Sequence, residues 1–275
     1  MSTALSLSVL EMPFMQRALI AAVLVGICAP AVGIYIVQRK MSLLGDGIGH
    51  IAFAGVGLGV LTGTSPVLMA VIVSVIGAIL TELVRARAKT SGDLALAILF
   101  YGGIAAGALM ISMQSGGSNI SVQSFLFGSI LTVNRADLVI ISVLAVLVVL
   151  VTIGMRRVLL AVSHDDEFAR VGGVPVSWVN VLIAVTAALT VSVAMRVVGL
   201  LLVSALMVLP VAASSQLARS FTATQVGSIA FGVVVAVAGV LLSYPMNVGP
   251  GSLIVVLAIG LFFVSAVVGR LVSRT

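Results

Sequence analysis

Charge is scarce in this chain. Asp, Glu, Lys and Arg make up 8% of its 275 residues, against about 25% in a soluble domain, which excludes an ordinary water-facing surface. Cysteine occurs once, as Cys28, so no internal disulfide can form, and its place in an apolar run marks a small core residue. Histidine occurs twice, as His50 and His164. No nucleophile stands beside a base at a workable spacing, which weighs against catalysis within a membrane. The two lysines, Lys40 and Lys89, lie in no G-x-x-x-x-G-K-[ST] phosphate loop. Aromatics are 5% of the chain and interleave with no long basic face, which excludes a nucleic-acid surface. The first ten residues hold neither Lys nor Arg. They are therefore not expected to form the basic start of a cleaved signal peptide, and the apolar run after Arg17 reads as a retained helix.

What fills the chain is apolar: 61% hydrophobic residues, with a mean hydropathy of +1.34. About 20 apolar residues cross a bilayer. That ruler predicts an all-α, polytopic helical bundle with spans near Phe14–Val37, Leu43–Leu61, Pro66–Val84, Leu94–Met113, Leu138–Gly154, Val176–Ala194, Gly199–Gln216, Thr222–Leu242 and Pro250–Gly269. The count is nine, or eight if a weaker segment re-enters. No soluble domain interrupts them, so 1–275 reads as a single membrane domain. The net charge of +6 comes in short clusters between the spans: Arg39–Lys40, Arg85–Arg87–Lys89, Arg156–Arg157–Arg170, Arg219 and Arg270–Arg274. Basic loops stay in the cytoplasm, so nine spans place the N-terminus outside and the C-terminus inside. Arg17, Arg135 and Arg196 then lie outside as exceptions.

Two connectors break the pattern. In "AVSHDDEFARVGGVPVSWVN", His164, Asp165 and Asp166 can start a short helix, Glu167 to Val171 continue it, and Gly172–Gly173 can end it. Such a helix on the cytoplasmic face is either an ordinary interfacial helix or a docking knob for a cytoplasmic subunit. In "QSGGSNISVQSFLFGSILTVNRAD", Ser124–Val133 is too short to span and reads as a partial or re-entrant helix on the external side.

The second span holds the oddest pair. "KMSLLGDGIGHIAFAGVGLGVL" carries Asp46 and His50 inside an apolar, glycine-rich run. Their i, i+4 spacing puts both side chains on one helix face. Counted from Lys40, His50 lies about 15 Å along the axis, near the middle of the hydrocarbon. An ionised carboxylate there costs about 2.5–3.5 kcal/mol even on the lenient insertion scale, so something compensates. Three compensations are open: a proton or a protonated His50, a proton relay, or a cation in a pathway. Carboxylate oxygen and imidazole nitrogen together suit zinc, manganese or ferrous iron better than magnesium or calcium. Two ligands cannot close a site, and two copies of the chain can supply four. Gly45 and Gly49, then Gly55 and Gly59, permit close helix approach.

Elsewhere, Glu82 is expected to pair with Arg85, and Asp93 reads as a helix-start carboxylate. Met110 and Met113 read as packing residues. Pro210 is expected to kink its helix or free carbonyls, with Ser204, Ser214 and Ser215 softening the break. Glu11, Asn134, Arg135, Asp137 and Asn247 fall on the external side, within reach of an external partner.

The run "PFMQRALIAAVLVGICAPAVGIYIVQRKMSLLGDGIGHIAFAGVGLG" resembles the opening of the membrane permeases of ATP-binding-cassette importers for zinc, manganese and iron. The resemblance continues through "SFLFGSILTVNRAD", "DDEFARVGGVP" and "VVGLLLVSALMVLPVAAS", so it covers nearly the whole chain. It implies a homodimeric permease that receives zinc or manganese, with iron as a third option, from an extracytoplasmic metal-binding protein. It implies a pair of cytoplasmic ATPase subunits on separate chains, so the permease is not itself an enzyme and holds no permanent cofactor. The acidic and histidine positions of the family's GD…H motif match Asp46 and His50. The serine usually found before that histidine is Gly49 here. Glu167, Phe168, Ala169, Gly172 and Gly173 match the segment that docks onto the ATPase. The resulting expectation is a multi-pass permease of the cell membrane. Its rivals are a proton-coupled secondary transporter, which would ignore ATP depletion, and a non-transport scaffold or receptor.

Overall fold

The computed structural model describes residues 12–87, 92–113, 122–129, 131 and 133–272, and among them every regular element is a helix. Helix α1 (Pro13–Gln38) opens on a proline, where the missing N–H would have no helical partner anyway. Helices α2 (Leu44–Leu61), α3 (Pro66–Arg87) and α4 (Gly92–Ser112) follow. A short α5 (Val122–Phe127) precedes α6 (Arg135–Gly154), whose Asn134 cap accepts from the Asp137 N–H at 2.7 Å. Two small helices, α7 (Arg156–His164) and α8 (Asp166–Val171), lead into α9 (Val176–Ala194). The chain then forms α10 (Val203–Ser215), α11 (Phe221–Met246), capped by Ser220, and α12 (Pro250–Val272).

Seven of these helices, α1, α2, α3, α6, α9, α11 and α12, are long and apolar enough to cross a bilayer. Two further apolar helices, α4 and α10, have shorter apolar stretches. α1 is the central post, packed against α6, α9, α10 and α11. The α2 helix lies between α3 and α4 and also meets α9 and α10. Outward faces carry large apolar side chains at helical spacing: Leu68, Ile72, Ile76 and Leu80 on α3, and Val139, Val143, Val146 and Leu150 on α6. Stripes of that length suit hydrocarbon rather than water.

The basic clusters converge on one end of the bundle. Arg39 reaches α8 and α9, Arg85 touches Met41, and Arg156 bonds Thr222 at the start of α11. Glu82 and Arg85 form the expected ion pair at 3.0 Å. At the other end Phe14 packs against Tyr244. Glu11, Lys89 and Arg274 lie outside the described residues, as does the side chain of Asp93.

Three expected boundaries shift. The second helix starts at Leu44, because residues 39–43 form a turn in which Lys40 adopts φ 57°. The seventh span is helical only from Val203, while 195–202 is irregular and mostly buried. The external connector forms the six-residue α5 rather than a helix over Ser124–Val133. Pro210 is buried within α10, which is helical on both sides of it.

Candidate functional site

Asp46 sits in the first turn of α2, about 3 Å past the helix start, and His50 about 9 Å past it. Both are therefore shallower along their helix than a count from Lys40 implies. The position is favourable for a carboxylate, since the N-terminal end of a helix carries partial positive charge. A second helix adds to it: the Ser204 hydroxyl, in the first turn of α10, donates to Asp46 Oδ1. A hydrogen bond to a charged group contributes about 1.5–3 kcal/mol, comparable to the lenient insertion cost.

Glycines make this meeting geometrically possible. A Cβ on Gly45 would lie 3.2 Å from the Ser204 Cβ, and one on Gly49 would lie 3.1 Å from the Leu200 carbonyl oxygen. On the other side, a Cβ on Gly103 of α4 would lie 2.6 Å from the His50 carbonyl carbon. The His50 ring meets Phe100 edge-on, with centroids 4.1 Å apart. Asp46 and His50 are thus half-buried, Asp46 against α10 and His50 against α4. Gly55 and Gly59 serve packing as expected, each bringing α2 against α3, where an added Cβ would approach Ala70 and Pro66 Cα atoms to 2.7 Å. Among the described residues no group of three or more His, Cys, Asp and Glu converges as a closed metal cage.

The irregular segment 195–202 is held by α5 through backbone bonds. Leu200 N–H donates to Phe125 at 2.9 Å, Leu201 N–H to Leu126 at 3.2 Å, and Ser129 N–H to Arg196 at 3.1 Å. Gly128 (φ 76°) and Gly199 (φ 90°) supply left-handed turns where the two strips of backbone touch. Protein surrounds this non-helical backbone and supplies partners to its polar groups, as irregular backbone in a membrane protein requires. Arg196, expected on the external side, is largely buried. It pairs with Asp137 at 3.4 Å and stacks on the Phe125 ring at 4.7 Å. Asp137 is 5% exposed, so it is structural and is withdrawn from any docking surface. Burial lowers the Arg196 pKa from the usual arginine range, and Asp137 opposes the shift.

At the basic end, the short α8 folds as its residues require. Asp165 caps α8 by accepting from Glu167 and Phe168 N–H groups at 2.9 Å, and Gly173 ends it with φ 81°. Glu167, Phe168, Gly172 and Gly173 are exposed, whereas Ala169 is buried and seats the helix on the bundle. Phe168 and Val171 are 76% and 89% exposed. Trp178, near the start of α9 and passed over by sequence reasoning, is also 76% exposed. Arg39 was noticed only as a loop charge. Its side chain is 7% exposed, donates to Asn180 Oδ1 of α9 at 2.7 Å and pairs with Asp166 of α8 at 3.3 Å. Desolvation lowers its pKa, while Asp166 opposes the shift. A cavity of about 490 Å³ beside this joint is lined by Arg39, Lys40, Arg85 and His164 among others.

A helical bundle with seven helices able to cross a bilayer, a half-buried Asp46–His50 face and an exposed short helix at its basic end has the architecture of a polytopic membrane permease. Residues 11–269 match the ABC 3 transport family, and the chain belongs to that family. The chain is 33% identical over 253 residues to the manganese transport system membrane protein MntC of Halalkalibacterium halodurans, covering 92% of this chain and 86% of that one. It is 32% identical over 252 residues to the manganese import system permease protein ScaB of Streptococcus gordonii, covering 92% and 90%. The solved structure of PsaBC from Streptococcus pneumoniae in complex with Fab superposes with a TM-score of 0.85 at 32% identity, covering 95% of this chain and 94% of that one. The protein is accordingly a multi-pass permease subunit of the cell membrane and not an enzyme.

Proposed function

We propose that the chain conducts a divalent transition metal into the cell, with Asp46 and His50 as transient ligands. The observation that carries this reading is their placement. Both lie on one face of α2 and are half-buried, with the carboxylate in the first turn of that helix and accepting from the Ser204 hydroxyl of α10. A carboxylate and an imidazole supply the oxygen and nitrogen donors that a divalent transition metal takes. Incomplete ligation suits passage, because the ion must leave again. The metal is cargo, not a resident cofactor. Manganese, named in the relatives, is the first ion to test, with zinc beside it and iron third.

The rest of the machine follows from the same reading. An extracytoplasmic metal-binding protein delivers the ion, a second copy of the chain completes the pathway, and cytoplasmic ATPase subunits dock on Glu167, Phe168, Ala169, Gly172 and Gly173. The complete transporter in proteoliposomes, loaded with ATP, tests it. Asp46→Ala should abolish manganese and zinc uptake while protein levels hold. Undiminished uptake in that variant would remove the site, and uptake that persists without ATP would favour the proton-coupled alternative.

A further inference from the structure

We infer that Ser204 is a third cargo ligand and a determinant of metal selectivity. The inference rests on the reading of Asp46 and His50 as cargo ligands and extends it by one residue from a different helix.

Ser204 is set apart from other buried hydroxyls by what it meets: Ser214 donates to the Thr224 carbonyl of α11 and Ser74 meets Ser192 of α9, whereas Ser204 meets a carboxylate. Buried hydroxyls on apolar helices ordinarily return to the carbonyl one turn back. Thr81, Thr152, Thr186, Thr190 and Ser192 all do so here, at 2.6–2.9 Å. Ser204 instead reaches across to Asp46, 158 residues away in sequence. It does so from the start of α10, where the irregular 195–202 segment ends. Broken helices in membrane transporters set such half-helix ends beside the transported species. Gly45 supplies the clearance that lets Ser204 come this close.

The chemistry then bears on which ion is preferred. Asp46 and His50 alone offer one oxygen and one nitrogen, a set that does not separate zinc from manganese. Ser204 makes the set two oxygens and one nitrogen. Oxygen-rich, higher-coordinate surroundings suit manganese, whereas zinc settles into four-coordinate sites with nitrogen and sulfur. Two copies of the chain offer six such donors, the number an octahedral ion takes.

The test is uptake of manganese and zinc, each measured separately, by the complete transporter in proteoliposomes, with Asp46→Ala run alongside. Ser204→Ala should lower manganese uptake relative to zinc by roughly tenfold, the scale on which groups around a metal ligand act. Ser204→Cys, which keeps the volume and substitutes a soft donor, should shift the ratio at least as far. Ser204→Thr, which keeps a hydroxyl, should leave the ratio unchanged. A purely structural serine predicts a different pattern: both metals falling together in the alanine variant, and a near-neutral cysteine variant. That pattern, with Asp46→Ala inactive, overturns the role of Ser204 and leaves the two-residue site standing. Full activity in Asp46→Ala overturns both at once.

Discussion

At the scale of single residues, the buried charges divide by what they face. Asp46 meets a hydroxyl, while Asp137 meets the Arg196 guanidinium. Both lie in the first turn of a helix, so position along the helix does not separate them; the partner does. The two should respond oppositely to neutralisation. Asp137→Ala leaves the Arg196 guanidinium, 15% exposed, without its counter-charge. Breaking such a pair costs about 3–5 kcal/mol, with the lower end expected because the Phe125 ring remains. Thermal unfolding in detergent should register a clear drop in midpoint, and an unchanged midpoint would show the pair to be dispensable. Asp46→Asn, by contrast, should leave the midpoint unchanged or raised, since a costly carboxylate is removed and the Ser204 contact can persist.

At the scale of elements, local signals were legible and distant pairings were not. The α8 helix was readable because its Asp165 cap and Gly172–Gly173 stop lie within a few residues of each other. The Asp46–His50 face was readable because i, i+4 spacing is a property of one helix. Ser204 was seen only as a neighbour of Pro210, since nothing in "LLVSALMVLP" announces a partner on α2. The start of α10 was misplaced because Gly199–Leu202 is as apolar as a helix, and its bonds to α5 are made by backbone atoms that carry no sequence signature. Arg39 was likewise missed as a joint, because its partners Asp166 and Asn180 lie 127 and 141 residues away. That joint connects α8, the proposed docking helix, to the end of α1, five residues before α2 begins. Arg39→Ala should therefore loosen the link between the ATPase and Asp46. In the complete transporter, ATP hydrolysis should continue while metal moved per ATP falls about tenfold, the scale of a coupling free energy between sites. Equal loss of hydrolysis and transport would instead indicate general damage to the docking surface.

At the scale of the whole molecule, a single oily chain solves two problems with the same small residues. Glycine lets helices close on one another without side-chain interdigitation, and the space so gained brings α10 and α4 to the polar face of α2. Apolar side chains turned outward on α3 and α6 keep the bundle in hydrocarbon. The orientation assigned from the basic clusters gives Thr64, between α2 and α3, to the outside and Ser177, near the start of α9, to the inside; both are exposed.

The lone sulfhydryl makes that assignment directly measurable. Cys28 is wholly enclosed, with its sulfur 3.6 Å from the Ala145 carbonyl, so the native chain should be silent toward membrane-impermeant maleimides. Thr64→Cys should then label in intact cells, and Ser177→Cys only after the cells are opened. The reverse order would invert the protein in its membrane, and with it the direction in which the ion travels.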